Sequence, residues 1–178
     1  MTSFLTKLTR SLYGMVLLGS GTYLTAQPVK LEQFKSWKPR CIGPAGMSGR
    51  ITSIDAVADD PNTIWLGAAS GGVWKTENGG NAWTPVFDEQ SNINIGSIAI
   101  QQNNPAVVWV GTGEGNPRNS INIGEGIFKT LDGGKTWKKM GLEKTRNIHR
   151  VIVDPAYPNT VYAGAIGNPY AEHPERGV

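Results

Sequence analysis

The residues best suited to chemistry lie together in one glycine-rich stretch, residues 112–125. Besides its glycines, the stretch carries acidic, amide and basic side chains, among them Glu114, Asn116, Arg118, Asn119 and Glu125. A glycosidase needs two carboxyl groups, one acting as a general acid and one as a base or nucleophile. Glu114 and Glu125 are therefore the candidates for catalysis, while Glu114, Asn116, Arg118 and Asn119 are the candidates for ligand binding. The alternative is a surface loop whose carboxylates are solvated or paired with Arg118.

The remaining reactive side chains favour structural roles. The single cysteine, Cys41, has no spacing relative to His149 or His173 that would indicate a shared catalytic site. It is expected to be a small buried residue. Cysteines and histidines are too few for a structural zinc site. The glycines of residues 111–115 follow a predicted strand and precede no helix, unlike a nucleotide-binding loop. We therefore expect neither a metal nor a cofactor.

An internal repeat sets the position of the 112–125 stretch. Residues 72–83 return as residues 126–137, and the upstream halves of three units align without gaps from Ile51, Ile95 and Ile148. The second unit is about ten residues longer than the first, and the extra residues are those of the glycine-rich stretch. Insertions in repeat proteins usually map to loops on one face, often the binding face. The candidate residues therefore belong to a loop held by a repeated scaffold.

Each unit is predicted to contain four short strands. In the first unit these are Ile51–Val57, which alternates in polarity, and residues 63–66, 73–76 and 82–87. Asn78-Gly79 between the last two is a strong hairpin signal. Four-stranded units of this length are the size of a β-propeller blade. The sequence therefore predicts an all-β propeller.

The predicted domains follow the repeat. Blade 1 covers residues 50–94, blade 2 covers residues 95–147, and the first half of blade 3 covers residues 148–178. Residues 27–49 form an N-terminal segment in which Ser36-Trp37-Lys38-Pro39 resembles residues 82–85. This similarity predicts a ring-closing strand, because closure of the ring removes exposed sheet edges.

The third unit stops after Gly177 and Val178, where the other units continue into a third and fourth strand. A propeller needs four or more blades, so the ring is predicted to be incomplete. We expect the natural chain to continue, with its remaining blades as partners of these. We also expect the isolated 178-residue piece to be poorly soluble or partly folded.

The repeated hairpin matches a known motif. Residues 130–137 follow the Asp-box pattern Ser/Thr-x-Asp-x-Gly-x-Thr-Trp, and residues 76–83 are a degenerate copy with Asn78 in place of the aspartate. We interpret the motif positions as structural, namely Thr76, Asn78, Gly80, Trp83, Thr130, Asp132, Gly134 and Trp137. The chain from about Trp37 onward resembles secreted bacterial Asp-box (BNR repeat) propellers of the sortilin N-terminal-domain-like, "glycosyl hydrolase" type. In that family the hairpin lies on the outer rim, and Asp132 would accept N–H bonds from the tight Gly133-Gly134 turn.

The resemblance implies two functions. Sortilin-like propellers bind peptides in the channel, which implies an extracytoplasmic scaffold for a peptide or glycan. The alternative is a xyloglucanase-like glycoside hydrolase whose remaining carboxylate lies beyond residue 178. In Asp-box xyloglucan hydrolases a Thr-Asp-Ile-Gly-Gly segment carries a catalytic aspartate, and Ala69 stands at that position here. Because alanine cannot transfer a proton, the scaffold is the preferred interpretation. A purely structural module of a larger cell-surface protein is a third possibility.

The N-terminus resembles a secretory signal peptide over residues 1–26. Lys7 and Arg10 form its basic region, residues 12–24 its apolar run, and small residues precede Gln27. The run is too short for a membrane span, so the mature chain is expected to have none. Without the segment 15 basic and 14 acidic residues remain, a balance that does not indicate nucleic-acid binding. The predicted location is secreted, periplasmic or cell-surface.

Overall fold

The computed structural model describes residues 30–37, 50–116 and 118–178, and three antiparallel sheets form most of this part. The first sheet has the order β1 (Ile51–Val57), β2 (Asp60–Ala68), β3 (Gly72–Thr76) and β4 (Thr84–Pro85). The second repeats that order with β5 (Ile95–Ile100), β6 (Val108–Thr112), β7 (Ile127–Thr130) and β8 (Lys138–Gly141). The third contains β9 (Ile148–Val153) and β10 (Val161–Ala165). The predicted β-propeller fold class is confirmed.

The first strands of the sheets lie next to one another, β1 against β5 and β5 against β9. Side-chain oxygens of one blade accept hydrogen bonds from backbone N–H groups at the edge of the next. Ser53 Oγ accepts from Ile98 N at 2.9 Å, and Ser97 Oγ accepts from Val151 N at 3.0 Å. Asp55 Oδ2 accepts from Ile100 N at 2.8 Å. These bonds cover strand edges that would otherwise be open to pairing with another chain.

The apolar core runs between the blades. One cluster joins blade 1 to blade 2 and contains Val57, Trp65, Val73, Phe87, Ile95, Ile98, Ile100, Val108, Val110 and Phe128. A second cluster joins blade 2 to the third sheet and contains Ala99, Ile127, Ile148 and Val151. Each blade therefore completes its core only against its neighbour, as expected for repeat units.

The Asp-box hairpin is held by a hydrogen-bond network that differs from the predicted one. Asp132 Oδ1 accepts from the Thr130 hydroxyl at 2.7 Å and from Thr136 N at 2.9 Å, while Oδ2 accepts from the Thr136 hydroxyl at 2.6 Å. The turn amide of Gly134 donates instead to Thr130 Oγ1 at 3.0 Å. The Thr130 hydroxyl, and not the Asp132 carboxylate, therefore accepts the N–H of the turn. The carboxylate instead connects the two arms of the hairpin through Thr130 and Thr136. Trp137, the last residue of the Asp-box motif, donates from Nε1 to Val86 O of blade 1 at 2.6 Å.

The blade 1 hairpin uses the same geometry with neutral groups. Thr76 Oγ1 donates to Asn78 Oδ1 at 2.8 Å and accepts from Gly80 N at 3.0 Å. Asn78 Oδ1 also accepts from Ala82 N at 2.9 Å. Alanine at position 82 has no hydroxyl to donate, so one side-chain oxygen is sufficient at position 78.

The described residues 30–37 contain no strand at Trp37, and the ring-closing role of residues 27–49 stays a prediction. Residues 30–37 contain a 3₁₀ helix, Leu31–Phe34, and Trp37 N donates to Phe34 O at 2.9 Å. A strand needs a neighbouring ladder, whereas a 3₁₀ turn satisfies its backbone locally. Lys38, Pro39, Cys41 and the predicted signal peptide over residues 1–26 lie outside the described residues. No helix in the described part of the chain has the length and apolar character needed to cross a bilayer.

Candidate functional site

The candidate site is centred on the loop that joins β6 to β7, residues 113–126, called here the blade 2 loop. Glu114 N donates to Asn122 O at 3.1 Å and closes a narrow neck. Beyond the neck, residues 115, 116 and 118–121 form the tip of the loop. The tip carries three of the predicted ligand-binding residues: Asn116 is half-buried, whereas Arg118 and Asn119 are exposed.

One repeat position supplies three side chains that contact this loop. Arg50, Asn94 and Asn147 each precede the first residue of an inner strand, Ile51, Ile95 and Ile148 respectively. Arg50 forms an ion pair with the Glu114 carboxylate. Asn94 Nδ2 donates to Ile123 O at 2.9 Å. Asn147 Nδ2 donates to Glu114 O at 2.6 Å and to Asn122 O at 3.0 Å.

The residues that precede the three inner strands all contact the blade 2 loop. The loop is therefore packed into the ring of blades and is not a free surface loop. Sequence reasoning missed these contacts. The only signal was that the residue before the first isoleucine of each unit is polar.

Glu114 is neither solvated nor paired with Arg118, so the predicted alternative is wrong for this residue, whereas the Glu125 side chain is partly exposed. The Glu114 side chain is 1% exposed and faces Arg50, whose side chain is 32% exposed. Glu125 pairs with Lys139 Nζ at 2.8 Å and accepts a hydrogen bond from the Ser91 hydroxyl. Contact with Lys139, and then with Ser91, lowers the pKa of Glu125 below its usual value. Glu125 therefore carries a negative charge at neutral pH and is unsuited to act as a general acid.

The tip of the blade 2 loop lies against Tyr170, which follows β10, and against His149 of β9. The Tyr170 hydroxyl donates to the carbonyl of Arg118, and the Tyr170 residue is 65% exposed. At the other side, a Cβ atom at Gly115 would collide with the His149 ring, so this glycine lets the tip approach His149 closely. Sequence reasoning did not single out Tyr170, because it lies in a segment without a repeat counterpart.

The segment that carries Tyr170, residues 166–176, is shaped by a single arginine. The Arg176 guanidinium donates to Ile166 O at 2.8 Å, Asn168 O at 2.7 Å and Ala171 O at 3.0 Å. Three carbonyl acceptors on one planar group fix the course of the segment. The exposed Tyr170 ring is thus displayed on a defined backbone next to the tip.

The position expected to hold a catalytic aspartate has the same backbone geometry in each unit. Ala69 N donates to Arg50 O at 3.0 Å, Gly113 N to Asn94 O at 2.7 Å, and Ile166 N to Asn147 O at 2.9 Å. Among the described residues, none of these three equivalent positions carries a carboxylate. The nearest acid along the chain is Glu114, one residue beyond this position, and its charge is neutralised by Arg50.

Comparison with known proteins shows similarity to one part of a xyloglucanase and to the fold of β-propellers. No protein-family model matches the chain. An oligoxyloglucan-reducing end-specific xyloglucanase from Emericella nidulans is 27% identical over 139 residues, which is 75% of this chain and 16% of that enzyme. Because the chain spans 16% of this relative, the similarity concerns one part of a longer protein.

Two solved structures show the same fold. An ancestral GH74 enzyme aligns with a TM-score of 0.50 at 24% identity, over 65% of this chain and 16% of that one. A GH74 enzyme from Niastella koreensis aligns with a TM-score of 0.50 at 19% identity, over 64% of this chain and 17% of that one. At these identities the structural similarity concerns the β-propeller fold.

Proposed function

We propose that this chain is the glycan-binding part of a secreted, glycoside hydrolase-like β-propeller of the Asp-box type. The observation that carries the proposal is the tip of the blade 2 loop, which lies beside the exposed ring of Tyr170 and whose neck is held by contacts with Arg50 and Asn147. A preformed surface of this kind binds with little loss of conformational entropy. The similarity to a xyloglucanase supports a polysaccharide as the ligand.

The chemistry of the tip suits a neutral sugar chain. Tyr170 offers a flat apolar ring face with a polar edge, on which a pyranose ring can stack. Arg118 and Asn119 are exposed beside it and supply hydrogen-bond donors and acceptors for hydroxyl groups. A few placed polar groups around an aromatic surface are typical of small-molecule and oligosaccharide sites.

Hydrolysis is the second candidate function, favoured by the similarity to the xyloglucanase. It would need carboxyl groups from other parts of the protein, since Ala69 occupies the expected aspartate position and Glu114 is paired with Arg50. Glu125, held ionised by Lys139, could serve only as the base or nucleophile of such a pair. Within this chain binding is therefore the better supported role.

The proposal is tested by isothermal titration calorimetry of the full chain with xyloglucan oligosaccharides, cello-oligosaccharides and an extended peptide pool. We expect binding of the glycans, and we expect Tyr170→Ala and Arg118→Ala each to weaken it about tenfold, the equivalent of one lost stacking or hydrogen-bonding contact. Tyr157→Ala is the matched control, because Tyr157 is 71% exposed in the β9–β10 turn. Binding of peptides alone, or an equal loss in all three variants, would contradict the proposal. Release of reducing sugar by the wild type would instead establish the second candidate.

A further inference from the structure

Asn147 joins the blade 2 loop to the junction between blade 2 and the third sheet. Its side-chain Nδ2 donates to both carbonyls that flank the neck, Glu114 O and Asn122 O. Its backbone carbonyl accepts from Ile166 N, at the start of the segment that carries Tyr170. A single residue therefore contacts both structures that form the proposed glycan surface.

We propose that Asn147 is a positioning residue for the ligand-binding tip. Its amide closes the neck of the blade 2 loop and so fixes Arg118 and Asn119 relative to Tyr170. This inference rests on the proposed function, because it assigns the tip to glycan binding.

The local structure around Asn147 is costly, which argues for a role beyond packing. Asn147 is 1% exposed, and its Oδ1 atom has no hydrogen-bond partner among the described residues. A buried carbonyl oxygen without a partner destabilises a fold. The preceding residue, Arg146, has φ 60° and ψ −66°, a backbone conformation rarely adopted by residues other than glycine. Strained backbone and incompletely paired polar groups are typical of functional sites.

Asn94, the equivalent residue before β5, makes a contact that a neighbouring side chain can replace. Asn94 Nδ2 donates to Ile123 O, outside the neck, and Asn92 Nδ2 donates to the same carbonyl at 3.0 Å. Loss of the Asn94 amide therefore leaves this carbonyl with a second donor. The two neck carbonyls have only one side-chain donor among the described residues, the amide of Asn147.

The test compares Asn147→Leu with Asn94→Leu in the full chain. Leucine has the branched shape of asparagine, with larger terminal groups, but cannot donate a hydrogen bond. In Asn147→Leu the backbone bond from Ile166 N remains available, so the blade junction is expected to fold. We expect the Glu114 amide to exchange with deuterium at least tenfold faster, with exchange in β5, β6 and β7 unchanged. We also expect affinity for xyloglucan oligosaccharides to fall at least tenfold, while Asn94→Leu changes both quantities less than threefold.

Three outcomes would overturn the inference. Unchanged exchange at the neck would show that Asn147 does not close it, whatever the ligand. Faster exchange with unchanged affinity would show that closure does not position the tip. Slowed or accelerated exchange across all blades would show a general structural role, and Asn147→Ala provides the same readouts if the leucine variant fails to fold. If the wild type binds no glycan, the proposed function fails, while exchange at the neck still decides whether the amide of Asn147 closes it.

Discussion

The ion pair between Glu114 and Arg50 joins an almost fully buried carboxylate to a partly exposed guanidinium. The carboxylate is almost fully buried, so its charge is compatible with the fold only because the guanidinium lies beside it. An acid in this state holds its loop in place, and its burial beside Arg50 keeps it out of reach of a substrate. The pair therefore explains how a glutamate in a candidate loop can be indispensable for structure without being catalytic.

Removing one charge of this pair is predicted to destabilise the chain more than removing both. Glu114→Gln leaves the Arg50 charge without its partner, and we expect a loss of about 1–3 kcal/mol in the free energy of unfolding, less than for a fully buried pair because Arg50 is partly exposed. The double variant Arg50→Met, Glu114→Gln should recover at least half of that loss. Urea unfolding of the two single variants and the double variant measures the coupling. A double variant as unstable as the sum of its parents would mean that the two side chains act independently.

Asp132 is predicted to make the stability of the blade 2 hairpin depend on pH. Hydrogen bonds from the Thr136 hydroxyl, Thr136 N and the Thr130 hydroxyl hold its pKa well below the usual value. A carboxyl with a lowered pKa in the folded state stabilises the fold above its unfolded pKa, near 3.9, and the contribution is lost as the pH falls through the folded pKa.

Asp132→Asn should therefore lower the melting temperature at pH 7, with the difference from wild type shrinking below about pH 4. Asn78→Asp is the reciprocal control, since Ala82 has no hydroxyl to fill a second carboxylate oxygen and little should be gained. Thermal melts between pH 3 and pH 7 provide the measurement. A wild-type advantage that stays constant over this range would show that the Asp132 charge is not involved.

At the scale of the strands, a single glycine per unit sets how closely neighbouring blades approach. Gly67, Gly111 and Gly164 occupy the same position of the second strand. A Cβ at Gly67 would lie 2.6 Å from Ile95 Cγ2, and one at Gly111 would lie 2.6 Å from Ile148 Cγ2. Gly67 and Gly111 thus accommodate the first isoleucine of the following unit, which is fully buried in both cases. This contact explains why a glycine and an isoleucine recur at fixed positions of the repeat.

Gly111→Ala is predicted to cost about 1–3 kcal/mol, because the added methyl overpacks the junction between β6 and β9. At Gly164 the nearest atom to an added Cβ is Arg150 Cβ at 3.5 Å, an ordinary van der Waals contact. Gly164→Ala in the same 178-residue chain should therefore change stability by less than about 0.5 kcal/mol. Urea unfolding of both variants, with folded content checked by circular dichroism, gives the comparison. Equal losses at the two positions would mean that backbone conformation, and not the neighbouring isoleucine, requires glycine.

Across the whole molecule, the sequence predicts what is local and repeated. Alternating strands, Asn-Gly turns and the recurring isoleucine and glycine positions indicated four-stranded units, and the propeller fold is confirmed. The partner of Glu114 was not predictable, because Arg50 lies in another blade and meets it only through the curvature of the ring. Trp37 follows a 3₁₀ helix in the described residues and lies in no strand there, because a four-residue similarity does not supply the neighbouring ladder that a strand needs. The ring-closing role of this segment stays a prediction. The ligand-binding roles of Asn116, Arg118 and Asn119 stay predictions.

Blades 1 and 2 share one apolar core, so they are predicted to unfold together. Phe87 of blade 1 is 1% exposed and packs edge-to-face on Phe128 and Trp137 of blade 2, with ring centroids 5.3 Å and 4.9 Å apart. Phe87→Ala should cost about 3–5 kcal/mol, as for other buried aromatic residues. Because the cavity lies between the blades, we expect amide protection from hydrogen exchange to fall equally in β2 and β6. Ile152→Ala, at a side chain 47% exposed on β9, is the control and should leave both strands unchanged. If protection falls in β2 alone, each blade folds independently and the ring is held by weaker contacts than this shared core implies.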